Sequence, residues 1–153
     1  MRKWNFCAGP AAIPEEVLIE AQNELLEWGL SGSSVIEVSH RSDLFSEVAT
    51  SSTKDIKALL NIGDDHEVLF LQGGATLQFT SVPLNFTKNS SIVSYLNTGL
   101  WSKKAIKAAS KYASVNVVAS SDQSNYTYVP STNEWRVDSD SIYFHYVMNE
   151  TIQ

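Results

Sequence analysis

Short apolar runs alternate with helical patterns along most of this chain, and that alternation restricts the fold more than any other feature. The apolar runs span residues 68–71, 92–96, 115–119 and 142–147, and each has the length of a single strand. Strands separated by helices need crossover connections, which produce a mostly parallel sheet. The sequence therefore predicts an α/β fold in which helices cover a mostly parallel sheet.

Three stretches have the apolar spacing of amphipathic helices. One runs over residues 17–28 and is followed by Gly29, and a second covers residues 44–60 and is predicted to end at Gly63, where a glycine suits a C-cap. The third covers residues 101–112. A polar stretch between the last two apolar runs, rich in Ser and Asn, predicts a long irregular connection.

Composition and charge exclude several classes of protein. With 153 residues, of which 43% are hydrophobic, the chain is long enough for one domain of average size. The net charge is -6 and the lysines are scattered, which argues against a nucleic-acid partner. The single cysteine, Cys7, forms no internal disulfide and is predicted to be a packing residue. No apolar run approaches the roughly 20 residues of a membrane span, so a cytoplasmic protein is predicted.

Three loops leave the carboxyl ends of predicted strands, at residues 72–76, 97–101 and 148–151. In parallel sheets these ends lie at one edge, and ligands bind just beyond it. The loops should therefore open on the same side of the sheet. Together they supply a glycine-rich turn, a large aromatic ring and hydroxyl groups.

The glycine-rich turn is the first candidate site. Gly73 and Gly74 permit backbone conformations closed to other residues, so that the N–H groups of Ala75 and Thr76 can point together at a helix start. Such a start attracts anions, above all phosphate, and the Thr76 hydroxyl adds a donor. A bare strand-to-helix connection explains the same pattern, because neither the dinucleotide nor the P-loop spacing is present.

The remaining candidates are single residues or pairs. Trp101 offers a flat face to a planar ligand, although a tryptophan at a helix start is often a core residue. Thr151 suits a ligand contact or a helix cap equally well. His40 and Arg41 suit a carboxylate or phosphate, or are a solvated pair. The histidines share no ligand-like spacing with each other or with the cysteine, so no metal site is predicted.

Six motifs, in this order, resemble the phosphoserine aminotransferases. They lie at residues 6–11 (FCAGPA), 37–41 (EVSHR), 71–79 (LQGGATLQF), 82–85 (VPLN), 98–102 (TGLWS) and 149–152 (NETI). The resemblance covers the whole chain. It implies the N-terminal part of the fold-type-I fold of pyridoxal-phosphate enzymes, with residues 1–15 associated with a small domain and residues 16–153 beginning the large cofactor-binding domain.

The resemblance also implies a function and roles for the candidates. The family is homodimeric, uses pyridoxal 5'-phosphate, and exchanges an amino group between glutamate and 3-phosphohydroxypyruvate in serine and, in many bacteria, pyridoxine biosynthesis. Gly74, Ala75 and Thr76 match the positions that hold the cofactor phosphate. Trp101 matches the ring that stacks on the pyridine, and Thr151 the hydroxyl near the phenolic oxygen. The substrate-binding pair corresponds to His40 and Arg41.

In the family, the Schiff-base lysine and the aspartate that pairs with the pyridine nitrogen follow the NETI motif, so no catalytic residue is expected in this chain. We accordingly expect a fragment of a longer enzyme, which lacks the rest of the large domain and the small C-terminal domain and is inactive alone. A complementary C-terminal piece is an expected partner. Two alternatives are a non-catalytic fragment that retains cofactor or phosphate binding, and another fold-type-I enzyme such as a different aminotransferase or a desulfurase.

Overall fold

The computed structural model describes residues 2–151, so the last residue of the NETI motif, Ile152, lies outside the described residues. The chain divides into two compact units, one ending at Phe70 and the other beginning at Leu71. We describe each unit by itself.

The first unit contains two α-helices. Helix α1 spans Glu15–Asn23, and α2 spans Asp43–Leu59 with Ser42 as its N-cap. The Ser42 hydroxyl accepts a hydrogen bond from the N–H of Phe45 at 3.3 Å, which satisfies one of the free donors at the helix start. A single 3-10 turn, Val35–Glu37, lies between the helices.

Both predicted helix ends in this unit were wrong. Helix α1 stops at Asn23, short of Trp28, because the N–H of Trp28 bonds to the carbonyl of Ser33 at 2.9 Å in a tight loop. Helix α2 ends before Gly63, because Asn61 takes the left-handed conformation (φ 50°) that the C-cap requires. The N–H of Ile62 then reaches back to the carbonyl of Lys57 at 2.9 Å, which closes a Schellman motif.

The first unit buries few side chains. Among residues 2–70 only Ser34 is fully buried, and the apolar faces of α1 and α2 keep much of their surface exposed. Cys7 is exposed as well, so the prediction that it is a packing residue was wrong. It lies in an irregular segment whose backbone forms only the isolated bridge between Phe6 and Ala11.

The predicted strand over residues 68–71 is absent. These residues form an irregular segment, and the side chains of Leu69, Phe70 and Leu71 are 62 to 71% exposed. A strand needs a neighbour to complete its hydrogen-bond ladder. Within residues 2–151, no backbone hydrogen bond joins this segment to another, so its apolar composition alone does not make it a strand.

The second unit contains the sheet. Its elements are, in chain order, α3 (Gly74–Phe86), β1 (Ile92–Asn97), α4 (Leu100–Ala109), β2 (Ser114–Ser120) and β3 (Ser141–His145). The strands are parallel and lie in the order β2-β1-β3, which confirms the predicted parallel α/β arrangement. The connection between β2 and β3 is irregular apart from two 3-10 turns, as predicted.

Strand β1 is the centre of this unit. Its residues Val93 to Asn97 are all buried, as expected for a strand with neighbours on both edges and both faces. On one face Val93 and Tyr95 pack against Ala105 and Ala109 of α4, with Phe79 of α3 beside them. This packing fixes α3 and α4 on the same side of the sheet.

An aromatic cluster closes this core. The hydroxyls of Tyr95 and Tyr143 share a hydrogen bond of 2.8 Å, and the ring of His145 stacks on Tyr95 with 4.7 Å between centroids. Burial raises the pKa of Tyr95, and its hydrogen bond to Tyr143 raises it further. Burial lowers the pKa of His145, whose Nδ1 has no hydrogen-bond partner among the described residues. The cluster is therefore packed in its uncharged form.

The half-buried ring of His145 predicts a pH dependence of stability. Because the pKa of His145 is lower in the folded state, the unfolded chain binds the extra proton when the pH falls below about 6.5. The free energy of unfolding should therefore decrease from pH 6.5 downward and be insensitive to this group above that pH. We expect His145→Phe, which keeps the stacking, to make urea unfolding less dependent on pH between about 5 and 7, a range that includes the free value of about 6.5.

The control for this change is His40→Gln, at an exposed histidine of the first unit. If His145→Phe and His40→Gln change the pH slope equally, burial of His145 is not its source.

Candidate functional site

The carboxyl ends of β1 and β3 are the structural base of the candidate site. Strand β1 ends at Asn97 and leads through Thr98 and Gly99 into α4. Strand β3 stops at His145, two residues before the predicted end, because its register with β1 reaches only the pair of Tyr95 and His145. From there the chain crosses toward the start of α4. Two of the three predicted loops therefore meet at this edge.

The glycine-rich turn forms the start of α3. Gly73 is the N-cap with φ 91°, and its carbonyl accepts the first helical hydrogen bond, from the N–H of Leu77 at 3.1 Å. The N–H groups of Gly74, Ala75 and Thr76 precede that bond and have no helical acceptor. These three residues are exposed, and the first turn holds no acidic side chain. The turn therefore presents free donors and the positive end of the helix dipole to solvent.

The start of α4 has the opposite character, because a carboxylate fills it. Glu150, in the loop after β3, accepts hydrogen bonds from the N–H of Trp101 at 2.8 Å and the N–H of Ser102 at 2.9 Å. The Thr98 hydroxyl also reaches this carboxylate, at 3.5 Å. A Cβ on Gly99 would lie 2.6 Å from Cδ of Glu150, so only glycine leaves room for the acid. The charge of Glu150 compensates the dipole of α4.

Ser102 completes the turn into α4 from the inside. Its buried hydroxyl accepts hydrogen bonds from the N–H groups of Thr98 and Gly99, both at 2.9 Å. The backbone between β1 and α4 is therefore held by a hydroxyl on one side and by the Glu150 carboxylate on the other.

Trp101 is held at two points, one on its backbone and one on its indole ring. Its backbone N–H is bound by Glu150, and its Nε1–H donates to the Thr151 hydroxyl at 2.7 Å. Nζ of Lys104 lies 4.3 Å from the ring centroid, which is a cation–π contact on one face. A planar ligand can therefore stack only on the opposite face.

The predicted site residues fall into two groups. Ala75 and Thr76 lie at the open start of α3, and Trp101 and Thr151 are joined by a hydrogen bond, all within the second unit. His40 and Arg41 lie in the first unit, on the exposed turn before α2. Thr151 does not cap a helix; it contacts the indole.

Glu150 is a site residue that was not predicted from the sequence. Within the NETI motif, a role was predicted only for Thr151. The available signal was an acid three residues after a predicted strand, at the edge where a helix begins. Among residues 2–151 no cluster of three or more His, Cys, Asp or Glu side chains could hold a metal ion. Nor does any α-helix in this part of the chain have the length and apolar character to cross a membrane.

The second unit is a parallel α/β sheet with one open helix start, at α3, and one filled helix start, at α4, and an open helix start of this kind suits a small anionic ligand. Residues 3–153 match the family described as aminotransferase class-V. The chain belongs to the class-V aminotransferase family.

Individual relatives give a narrower comparison. The chain is 50% identical over 151 residues to a phosphoserine aminotransferase of Hahella chejuensis, a match that covers 99% of this chain and 42% of that protein. A crystal structure of pyridoxal-phosphate-bound phosphoserine aminotransferase from Trichomonas vaginalis matches with a TM-score of 0.85 at 41% identity, over 97% of this chain and 42% of the other. The enzyme from Bacillus circulans subsp. alkalophilus matches with a TM-score of 0.82 at 40% identity, over 97% and 41%.

The similarity covers nearly all of this chain but less than half of each relative. The chain spans about 42% of the length of the curated relatives that it matches. Within that span the fold is that of the N-terminal part of phosphoserine aminotransferase structures.

Proposed function

We propose that this chain is part of a phosphoserine aminotransferase that uses pyridoxal 5'-phosphate. The reaction exchanges the amino group of L-glutamate for the keto oxygen of 3-phosphohydroxypyruvate, giving 2-oxoglutarate and 3-phosphoserine. The proposal includes a homodimeric, cytoplasmic protein that serves serine and pyridoxine biosynthesis. The observation that carries it is the 50% identity over 151 residues to proteins of that name.

The start of α3 fits the phosphate of the cofactor. Its free N–H groups, positive dipole end and lack of acidic side chains are what a doubly charged phosphate needs. A Cβ on Gly74 would meet no atom within 4 Å, so there is open space beside the donors. We assign phosphate binding to Gly74, Ala75 and Thr76.

Trp101 and Thr151 fit the ring of the cofactor. Trp101 is fixed by one hydrogen bond from its backbone N–H and one from its indole N–H, so stacking costs little conformational entropy. The Thr151 oxygen accepts from the indole, which leaves its own O–H free to donate to the phenolic oxygen. When bound, pyridoxal phosphate supplies a carbonyl that carries the amino group and a ring that takes up electron density.

His40 and Arg41 are assigned to the substrate. Both side chains are on an exposed turn, and the planar fork of Arg41 suits a carboxylate. His40 suits the phosphate of 3-phosphohydroxypyruvate. The role of this pair rests on the resemblance of the EVSHR motif.

Thr76→Val tests the phosphate assignment. It keeps the backbone N–H and the shape of the side chain but removes the hydroxyl donor. Because a hydrogen bond to a charged group contributes about 1.5 to 3 kcal/mol, we expect the Kd for pyridoxal phosphate to rise at least about tenfold. The Kd for pyridoxal, which has no phosphate, should stay unchanged. Both values are measured by titration followed in the visible spectrum.

Thr80→Val is the matched control, since it makes the same change one turn further along α3. Equal effects of Thr76→Val on the two ligands would place the phosphate elsewhere.

The reaction is tested by glutamate-dependent amination of 3-phosphohydroxypyruvate beside pyruvate and oxaloacetate. The purified protein is also examined for its intact mass and for a borohydride-fixed cofactor. Preference for the phosphorylated keto acid supports the proposal. A preference for another keto acid would assign a different aminotransferase, and cofactor binding without amination would assign a non-catalytic polypeptide.

A further inference from the structure

We propose that Glu150 is a positioning residue for the cofactor site, an inference that rests on the proposed function. Its carboxylate fixes the start of α4 and so holds the Trp101 indole and the Thr151 hydroxyl in one arrangement. Glu150 itself is placed in contact with no ligand. Its effect passes through the residues that it binds.

Glu150 contacts the start of α4 with both oxygens of its carboxylate. The two carboxylate oxygens of Glu150 bind two consecutive N–H groups, those of Trp101 and Ser102, at 2.8 and 2.9 Å. Charge-assisted hydrogen bonds of this length are roughly twice as strong as neutral ones. Two such bonds from one side chain leave the backbone of Trp101 little freedom.

Two consecutive residues, Glu150 and Thr151, both contact Trp101. Glu150 is followed directly by Thr151, whose hydroxyl accepts from the Trp101 indole at 2.7 Å. One dipeptide therefore binds Trp101 by its backbone and by its ring. If the Glu150 carboxylate loses its hydrogen bonds to α4, the Thr151 hydroxyl is no longer held at a fixed distance from the indole.

The starts of α3 and α4 differ in charge. The second unit presents two helix starts, and a phosphate is attracted to each. Glu150 occupies the start of α4 with a negative charge, whereas the first turn of α3 has no acid. The carboxylate therefore directs the anionic end of a ligand to α3 and leaves the ring end to Trp101.

The test uses Glu150→Gln, which keeps the size of the side chain and removes its charge. An amide has one acceptor oxygen, so one of the two bonds to α4 is lost. In ¹⁵N-labelled protein, we expect the Nε1–H resonance of Trp101, identified by its absence in Trp101→Phe, to shift and to exchange faster with water. The Kd for pyridoxal phosphate should rise about tenfold, while the Kd for inorganic phosphate does not rise.

Glu134→Gln is the matched control. Glu134 also binds a backbone N–H, that of Ser131 at 2.6 Å, but in a 3-10 turn of the loop before β3. It should leave the indole resonance and both Kd values unchanged. Glu150→Asp, which keeps the charge on a shorter side chain, should restore part of the affinity and of the indole signal, and it serves as the test if Glu150→Gln does not fold.

Two results would overturn the inference. One is a Glu150→Gln protein with the wild-type indole resonance and wild-type affinity for pyridoxal phosphate. The other is equal weakening of pyridoxal phosphate and inorganic phosphate. If the wild-type protein binds no pyridoxal phosphate, the proposed function fails, but the indole resonance still decides whether Glu150 positions Trp101.

Discussion

Gly99→Ala should lower the free energy of unfolding by about 2 to 4 kcal/mol, because the added methyl group displaces the Glu150 carboxylate from α4. A Cβ at this position would lie 2.6 Å from Cδ and 2.7 Å from Oε2 of Glu150. Gly99 is buried, so the Glu150 side chain cannot move away from the added methyl group without disturbing its neighbours. The displaced carboxylate leaves the N–H groups of Trp101 and Ser102 without their charged acceptor. Urea unfolding followed by circular dichroism measures the effect.

Gly63→Ala is the control for this prediction. A Cβ there would lie 2.8 Å from Oδ1 of Asp65, a contact only slightly longer than the 2.6 Å contact at Gly99. The Asp65 side chain is 78% exposed and can turn away, so we expect a change within about 0.5 kcal/mol. If Gly99→Ala is as mild as Gly63→Ala, the Glu150 contact is not a fixed part of the structure.

Gly73→Ala should have the second large effect, on both stability and ligand binding. Gly73 has φ 91°, where side chains are strained, and a Cβ would lie 2.6 Å from Cβ of Leu77. Because Cβ of Leu77 is fixed to the helix backbone, relief requires the first turn of α3 to move. We expect a loss of about 2 to 4 kcal/mol and a rise of at least about tenfold in the Kd for pyridoxal phosphate.

Gly74→Ala distinguishes the backbone strain at a positive φ from the steric clash with Leu77. Gly74 also has a left-handed φ, of 53°, but a Cβ there would meet no atom within 4 Å. It should therefore cost only the conformational strain, about 1 to 2 kcal/mol. Equal losses of stability in the two variants would show that the contact with Leu77 adds nothing, and the turn would then be more adaptable than its geometry indicates.

The helix start at α3, to which we assign the cofactor phosphate, was predictable from local sequence. Two glycines before a helical pattern need no distant partner to place the N–H groups of Ala75 and Thr76 at a helix start. Gly73 has the positive φ that this interpretation required. The assignment to phosphate came from the resemblance, because the pattern alone also fits a bare connection.

The pairing of Trp101 with Thr151, to which we assign the cofactor ring, was predictable only as a set of candidate residues. Trp101 and Thr151 are 50 positions apart, and their hydrogen bond depends on β1 and β3 being neighbours in the sheet. The same neighbourhood brings Glu150 to α4. No periodicity or local motif encodes a contact over this distance, so the role of Glu150 emerged only from the structure.

The sequence by itself determined the strands at the centre of the second unit, the starts of α3 and α4, and the parallel direction of the strands that α/β alternation requires, because propensity, glycine positions and apolar runs act locally. The tertiary structure decided the rest. The apolar segment before Leu71 lacks a strand partner in the described chain, α1 ends early in a tight loop, and one of two similar helix starts receives a carboxylate. Each of these outcomes depends on which distant backbone groups meet, and hydrogen-bond pairing between distant segments is a property of the folded chain.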